Sequence, residues 1–158
     1  MINFDKVKLV LFDFDDTLCI HRDHGSGGDR EYNRTMILGD CGWWDRRGCK
    51  PSVFMGKFMQ LCVNSGKQMG LISVVEFSCA AAVKLSWVEA NYGYVLRDYC
   101  TGSFEGKVQI IQAILDSSDL QPENMLFVDD LYTNLAAVEK LGVQVCSPME
   151  VINYVTQS

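Results

Sequence analysis

The stretch Val10-Leu11-Phe12-Asp13-Phe14-Asp15-Asp16-Thr17-Leu18 decides the fold. Together with Lys8 and Leu9 it opens as a short, continuously apolar run with no polar alternation. Such a run reads as a strand buried on both faces, as in a parallel sheet. The chain then turns acidic at once, with Asp13, Asp15 and Asp16 in four residues. In open parallel sheets, sites lie beyond the carboxyl ends of the strands, at the point where strand order reverses. Strand-end carboxylates in that position point to chemistry rather than to a solvated turn.

Outward from this stretch, apolar strands alternate with amphipathic helices. Pro51 and Ser52 open a helix whose face carries Phe54, Phe58, Leu61 and Cys62, and Asn64-Ser65-Gly66 stops it. Residues 68–74 read as a second strand. Ala80, Val83, Trp87 and Asn91 mark a second helix, ended by Gly93. Residues 94–99 form a weaker third strand, and Val108, Ile111 and Leu115 mark a third helix. Residues 125–128 are a fourth strand. Leu131, Leu135, Val138 and Leu141 lie on a helix closed by Gly142. Residues 143–146 make a last strand, and Pro148 opens a terminal helix. This alternation implies right-handed crossovers. The expected fold is a three-layer α/β domain over residues 1–158, with a doubly wound five-stranded parallel sheet. Residues 19–50, punctuated by Gly25-Ser26-Gly27-Gly28, Gly39, Gly42 and Gly48, break the pattern and read as a flap insertion of loops with a hairpin.

The chain has 158 residues, fitting one domain, and is 48% hydrophobic and 22% charged, near the soluble globular average. Its net charge of −6 disfavours nucleic acid backbones, which reward clustered Lys and Arg. No apolar run is long enough to span a bilayer. Asp5, Lys6 and Lys8 make the start unlike a signal peptide, so a cytoplasmic protein is expected. The seven scattered cysteines then read as reduced thiols serving as small apolar residues.

Three strand ends carry the polar residues: Asp13 and Asp15, Ser73, and Asp129 with Asp130. A phosphate monoester repels a carboxylate nucleophile unless that charge is cancelled. Mg2+ does this, taking oxygen ligands from one or two carboxylates, water and the phosphate. Asp13 and Asp129 suit that shell. A covalent aspartyl phosphate would split the reaction into two easier steps. Asp15, two residues beyond Asp13, is placed to protonate the leaving oxygen and later to take a proton from water. Beside a phosphate its pKa is expected to rise. Ser73 and Lys107 are the candidate donors to the phosphoryl oxygens.

These residues carry a resemblance. Residues 10–18 resemble the first motif of the haloacid dehalogenase superfamily of phosphatases. Ile72-Ser73 resembles its second, Lys107 in Glu105-Gly106-Lys107 its third, and Leu126-Phe127-Val128-Asp129-Asp130 with Asn134 its fourth. The motifs come in order and span residues 10–146. Within the superfamily the chain is most similar to small capless magnesium-dependent phosphatases. The resemblance implies a nucleophile and Mg2+ ligand at Asp13, and an acid–base at Asp15 whose backbone carbonyl binds the metal. It implies phosphate binding by Ser73 and Lys107, and metal ligation by Asp129, with Asp130 a ligand or a holder of its water. Thr17 and Asn134 would brace the backbone. Asp15 favours phosphatase over dehalogenase, because halide displacement needs no acid. One departure is Val74-Val75, where capless relatives often follow the second-motif Ser with Arg-Thr.

The flap gathers Cys19, His21, His24, Cys41 and Cys49, ligand types that zinc prefers. Some capless relatives hold a structural zinc with a Cys-x-His half and a Cys-x-Cys half. Cys19 and His21 match the first half, while Cys41 and Cys49 are too far apart for the second. Otherwise these are loop residues. Trp43 and Trp44 read as one core residue and one shield rather than a substrate grip.

The expected activity is thus Mg2+-dependent phosphomonoester hydrolysis through an aspartyl phosphate. Its substrate would be a phosphorylated small molecule, closed in by the flap and a homodimer partner, or a phosphoprotein side chain. Two alternatives stand beside it. One is a receiver-like signalling domain that accepts a phosphoryl group on Asp. The other is a degenerate phosphatase fold used as a binding module.

Overall fold

A computed structural model describes residues 2–21, 39, 48–75 and 78–157. The elements run β1 (Leu9–Phe12), β2 (Cys19–Ile20), β3 (Lys50–Pro51), α1 (Val53–Asn64), β4 (Gln68–Leu71), α2 (Ser78–Tyr92), β5 (Arg97–Asp98), α3 (Phe104–Ser117), β6 (Met125–Val128), α4 (Tyr132–Glu139), β7 (Gln144–Cys146) and α5 (Pro148–Gln157).

β1 lies at the centre of a five-stranded sheet of order β5-β4-β1-β6-β7, and every pairing in it is parallel. The chain builds outward through β4 and β5, then crosses back to build β6 and β7 on the other side. Strand order therefore reverses at β1, and the ends of β1, β4 and β6 are neighbours. This is the expected doubly wound sheet.

Side-chain alternation along β1 divides the core. Val10 and Phe12 face one layer, with Phe58 of α1, Trp87 and Val88 of α2 and Val151 of α5. Leu9 and Leu11 face the other, with Ile111 of α3, Phe127, and Leu135 and Val138 of α4. Both faces are dry because helices cover both, as the unbroken apolar runs require. All four residues of β1 and all four of β6 are buried.

Local structure departs from expectation in three places. Pro51 does not open the first helix. It ends β3, and Ser52 is the N-cap, its Oγ accepting from the Met55 N–H at 3.3 Å. The second strand ends at Leu71 rather than 74; beyond it the chain keeps single links, Ile72 N–H to the Phe12 carbonyl and an isolated bridge between Val74 and Thr101, with Ser73 at the sheet end between them. The third strand shrinks to Arg97–Asp98, an exposed edge pair. The flap's described ends do pair, since β2 and β3 form an antiparallel ribbon with Cys19 opposite Pro51 and Ile20 opposite Lys50. His24, Cys41, Trp43 and Trp44 lie outside the described residues. Among the described residues no helix is long and apolar enough to cross a membrane.

Candidate active site

Asp13 continues β1 by one residue, its N–H donating to the Val128 carbonyl at 2.9 Å. Asp129 holds the equivalent place after β6, and its N–H donates to Cys146 at 3.3 Å. The two carboxylates thus leave adjacent parallel strands side by side. Lys107 reaches in from the first turn of α3, with Nζ 2.6 Å from Asp13 Oδ1 and 2.9 Å from Asp129 Oδ2. Ser103 starts that turn, its Oγ capping the Gly106 N–H at 3.1 Å. Asp129 is fully buried and held on several sides. It also accepts from the Leu131 N–H at 2.9 Å and from Asn134 Nδ2 at 2.8 and 3.0 Å.

Burial dominates at Asp13. Against the pull of Lys107, and aided by the charges of Asp129 and Asp15, it pushes the carboxyl up to about 7. Burial works against the charge of Lys107 as well, but Asp13 and Asp129 outweigh it and raise its pKa.

A second lysine completes the site, and sequence reasoning passed over it. Lys84, on α2 and almost wholly buried, places Nζ 2.7 Å from Asp15 Oδ2 and 2.8 Å from Ser73 Oγ. His21 Nε2 lies 2.9 Å from the other Asp15 oxygen. Burial disfavours charge on Asp15, but the Lys84 ammonium and the His21 hydrogen bond outweigh it and hold the carboxyl well below the usual range. The same bond raises His21. In the resting site, with no phosphate beside it, Asp15 is thus held low by the Lys84 ammonium and the His21 hydrogen bond. The Asp15 side chain remains half-exposed, so water tempers the effect.

Asp16 takes the left-handed backbone at φ 53°, a conformation that Asp tolerates better than most residues. Its Oδ1 accepts from the His21 N–H at 3.1 Å, closing the turn from β1 into β2. Thr17 is fully buried in that turn. Asp130 stands at the open side, its carboxyl raised first by burial and then by the charge of Asp129.

Asp13, Asp15, Ser73, Lys107 and Asp130 all line one cleft of about 330 Å3, together with Val74, Phe104 and Asn134. Val74 supplies an apolar part of its wall. Oxygens of Asp13, Asp129 and Asp130 lie within 4.8 Å of one another. Closely set hard oxygen donors with an open side are the donor set Mg2+ takes.

No family model matches the sequence, and no curated protein does either. Solved structures match in shape. A haloacid dehalogenase-like hydrolase from Streptococcus pneumoniae superposes with a TM-score of 0.59 at 13% identity, covering 95% of this chain and 99% of that one. A predicted haloacid dehalogenase-like hydrolase from Porphyromonas gingivalis gives 0.58 at 16%, covering 97% and 99%. A haloacid dehalogenase family enzyme from Bacteroides thetaiotaomicron, solved with magnesium and inorganic phosphate, gives 0.54 at 13%, covering 89% and 93%. The class is thus one of architecture, a doubly wound α/β domain with its polar cluster at the strand reversal. The chain has the haloacid dehalogenase-like fold.

Proposed function

We propose that the chain is a Mg2+-dependent phosphomonoester hydrolase that works through an aspartyl phosphate on Asp13. The observation that carries this reading is the packing of Asp13, Lys107 and Asp129 at adjoining strand ends, with Asp130 close by. The magnesium and phosphate held by the Bacteroides enzyme of the same fold are in keeping with it.

Asp13, Asp129 and Asp130 would hold the metal, which when bound supplies charge to offset repulsion between carboxylate and phosphate. An oxygen of Asp13 attacks phosphorus, and the bond from phosphorus to the leaving oxygen breaks. Asp15 gives that oxygen its proton. Asp15 is then a carboxylate and takes a proton from water. The water oxygen attacks phosphorus, and the bond to Asp13 breaks, releasing phosphate. Bound phosphate competes for the Lys84 ammonium, and loss of that contact raises Asp15 into the range where it can carry a proton. Ser73, beside Lys84, offers its hydroxyl to the phosphoryl oxygens, and Lys107 keeps Asp13 aimed. The cleft is small, which favours small phosphomonoesters. Six described cysteines are free thiols, which suits a reducing compartment such as the cytoplasm.

Hydrolysis of a generic aryl phosphate, with and without Mg2+, tests the reading. Wild type should turn over only with Mg2+, and Asp13→Asn should lose all turnover. Equal rates from both proteins would sink the mechanism. Inactivity across a broad panel of phosphomonoesters would favour a binding module.

A further inference from the structure

We propose that Cys19, His21 and Cys49 form a zinc site at the root of the flap, separate from the carboxylate cluster and braced by Asp15 through the imidazole. The proposal does not depend on the phosphatase reading.

Strand geometry brings the three together. Cys19 lies in β2 and His21 directly follows its last residue, two positions on, a spacing that puts side chains on the same face of an extended chain. The antiparallel register sets Ile20 opposite Lys50, and continuing it by one residue sets His21 opposite Cys49. All three side chains therefore share a face of the ribbon, and that face is turned inward: Cys19 and Cys49 are buried and the His21 side chain is 7% exposed. One donor atom from each lies within 4.8 Å of the other two. His21 Nδ1 is 3.3 Å from Cys49 Sγ. Zinc bond lengths in a tetrahedron imply about 3.6 Å for such an N–S edge and about 3.8 Å for an S–S edge. Small side-chain adjustments therefore close the site around an ion.

The imidazole is oriented for this role. Its Nδ1 faces the thiols while its Nε2 faces Asp15 Oδ1 at 2.9 Å. With Nε2 carrying the hydrogen and donating to the carboxylate, Nδ1 is left with its lone pair toward the sulfurs. A carboxylate behind a ligating histidine fixes its tautomer and strengthens it as a donor. Two thiolates and one imidazole are soft ligands that select Zn2+ over Mg2+. A solvent molecule can fill the fourth position. The donor set is also not the paired Cys-x-His and Cys-x-Cys pattern, since Cys49 stands alone across the ribbon. Binding would staple both ends of the flap and hold Asp15 from behind, a positioning role.

The test is metal analysis of the full chain, expressed without a histidine tag in zinc-supplemented medium. Wild type should carry about one zinc per chain. Asp13→Asn should carry the same, which separates this site from the carboxylate cluster. Cys49→Ser should lose the metal, and Asp15→Asn should weaken zinc affinity about 10- to 100-fold. If Cys49→Ser does not fold, Co2+ exchange into wild type decides instead. Thiolate-to-cobalt absorption in the near ultraviolet, bleached by a chelator, is expected. Zinc near zero with no such absorption overturns the proposal, as does a Cys19–Cys49 disulfide found by mass spectrometry.

Discussion

At the scale of single residues, Lys84 reorganises the picture of the site. Its neighbours on α2 include Ala80, Ala81, Trp87 and Val88, three or four residues away and all buried. That spacing was a readable signal that Lys84 points inward. It was overlooked because a lone lysine on a helix normally faces solvent, and because its partners Asp15 and Ser73 come from other strands. The clustering of Asp13, Asp15, Asp129 and Lys107 was legible because their types and order place them at strand ends and a helix start without the third dimension. Lys84→Met tests the assignment. A hydrogen bond to a charged group contributes about 1.5–3 kcal/mol, so kcat/KM on an aryl phosphate should fall roughly ten- to hundredfold. Removing one partner of a buried ion pair leaves the other uncompensated, so the urea midpoint should fall as well. Lys84→Arg, which keeps the charge, should recover part of that stability. Measuring kcat/KM where Lys84→Met is still fully folded separates a role in the reaction from one in folding, and an unchanged kcat/KM there would mark Lys84 as merely structural.

At the scale of elements, the site depends on how α3 begins. Gly106 sits against Thr101, and a Cβ at Gly106 would collide with the Thr101 side chain. Gly106→Ala should therefore shift the first turn, and with it Lys107. A destabilisation of about 1–3 kcal/mol in urea is expected, with a larger loss of activity than stability alone explains. Adding Thr101→Ala should restore part of both. Ser103→Ala, which removes the cap but leaves that contact, should cost about 1 kcal/mol and spare most activity. Helices and central strands were legible because burial on two faces writes continuous apolar runs. β5 was overestimated for the opposite reason: at the sheet edge, pairing to β4 rather than hydrophobicity fixes its length. The flap was least legible, since Gly-rich loops carry no period, and only the register of β2 and β3 shows which cysteine meets which histidine.

For the whole molecule, stability is linked to pH through Asp13, and on the proposed function to Mg2+ as well. Its folded pKa, about 7 without metal, lies above the unfolded value near 3.9. Between those limits the folded chain holds a proton that the unfolded chain has lost. Stability of the metal-free protein should therefore fall as pH rises through that window and level off above it. Mg2+ takes the ionised carboxylate, so the thermal shift it produces should grow from pH 5 to pH 8. Melts in chelator and in Mg2+ at both pH values check this, and Asp13→Asn should lack the trend. The Tyr92 hydroxyl accepts from the Ser52 N–H at 2.8 Å and donates to the Leu18 carbonyl, so the core grips both ends of the flap. Once ends are gripped, each doubling of the length between them costs only about 0.6 kcal/mol in closure entropy. Descendants of this chain can thus lengthen, shorten or rewrite the segment between those two grips at little cost while the strand-end carboxylates stay where they are.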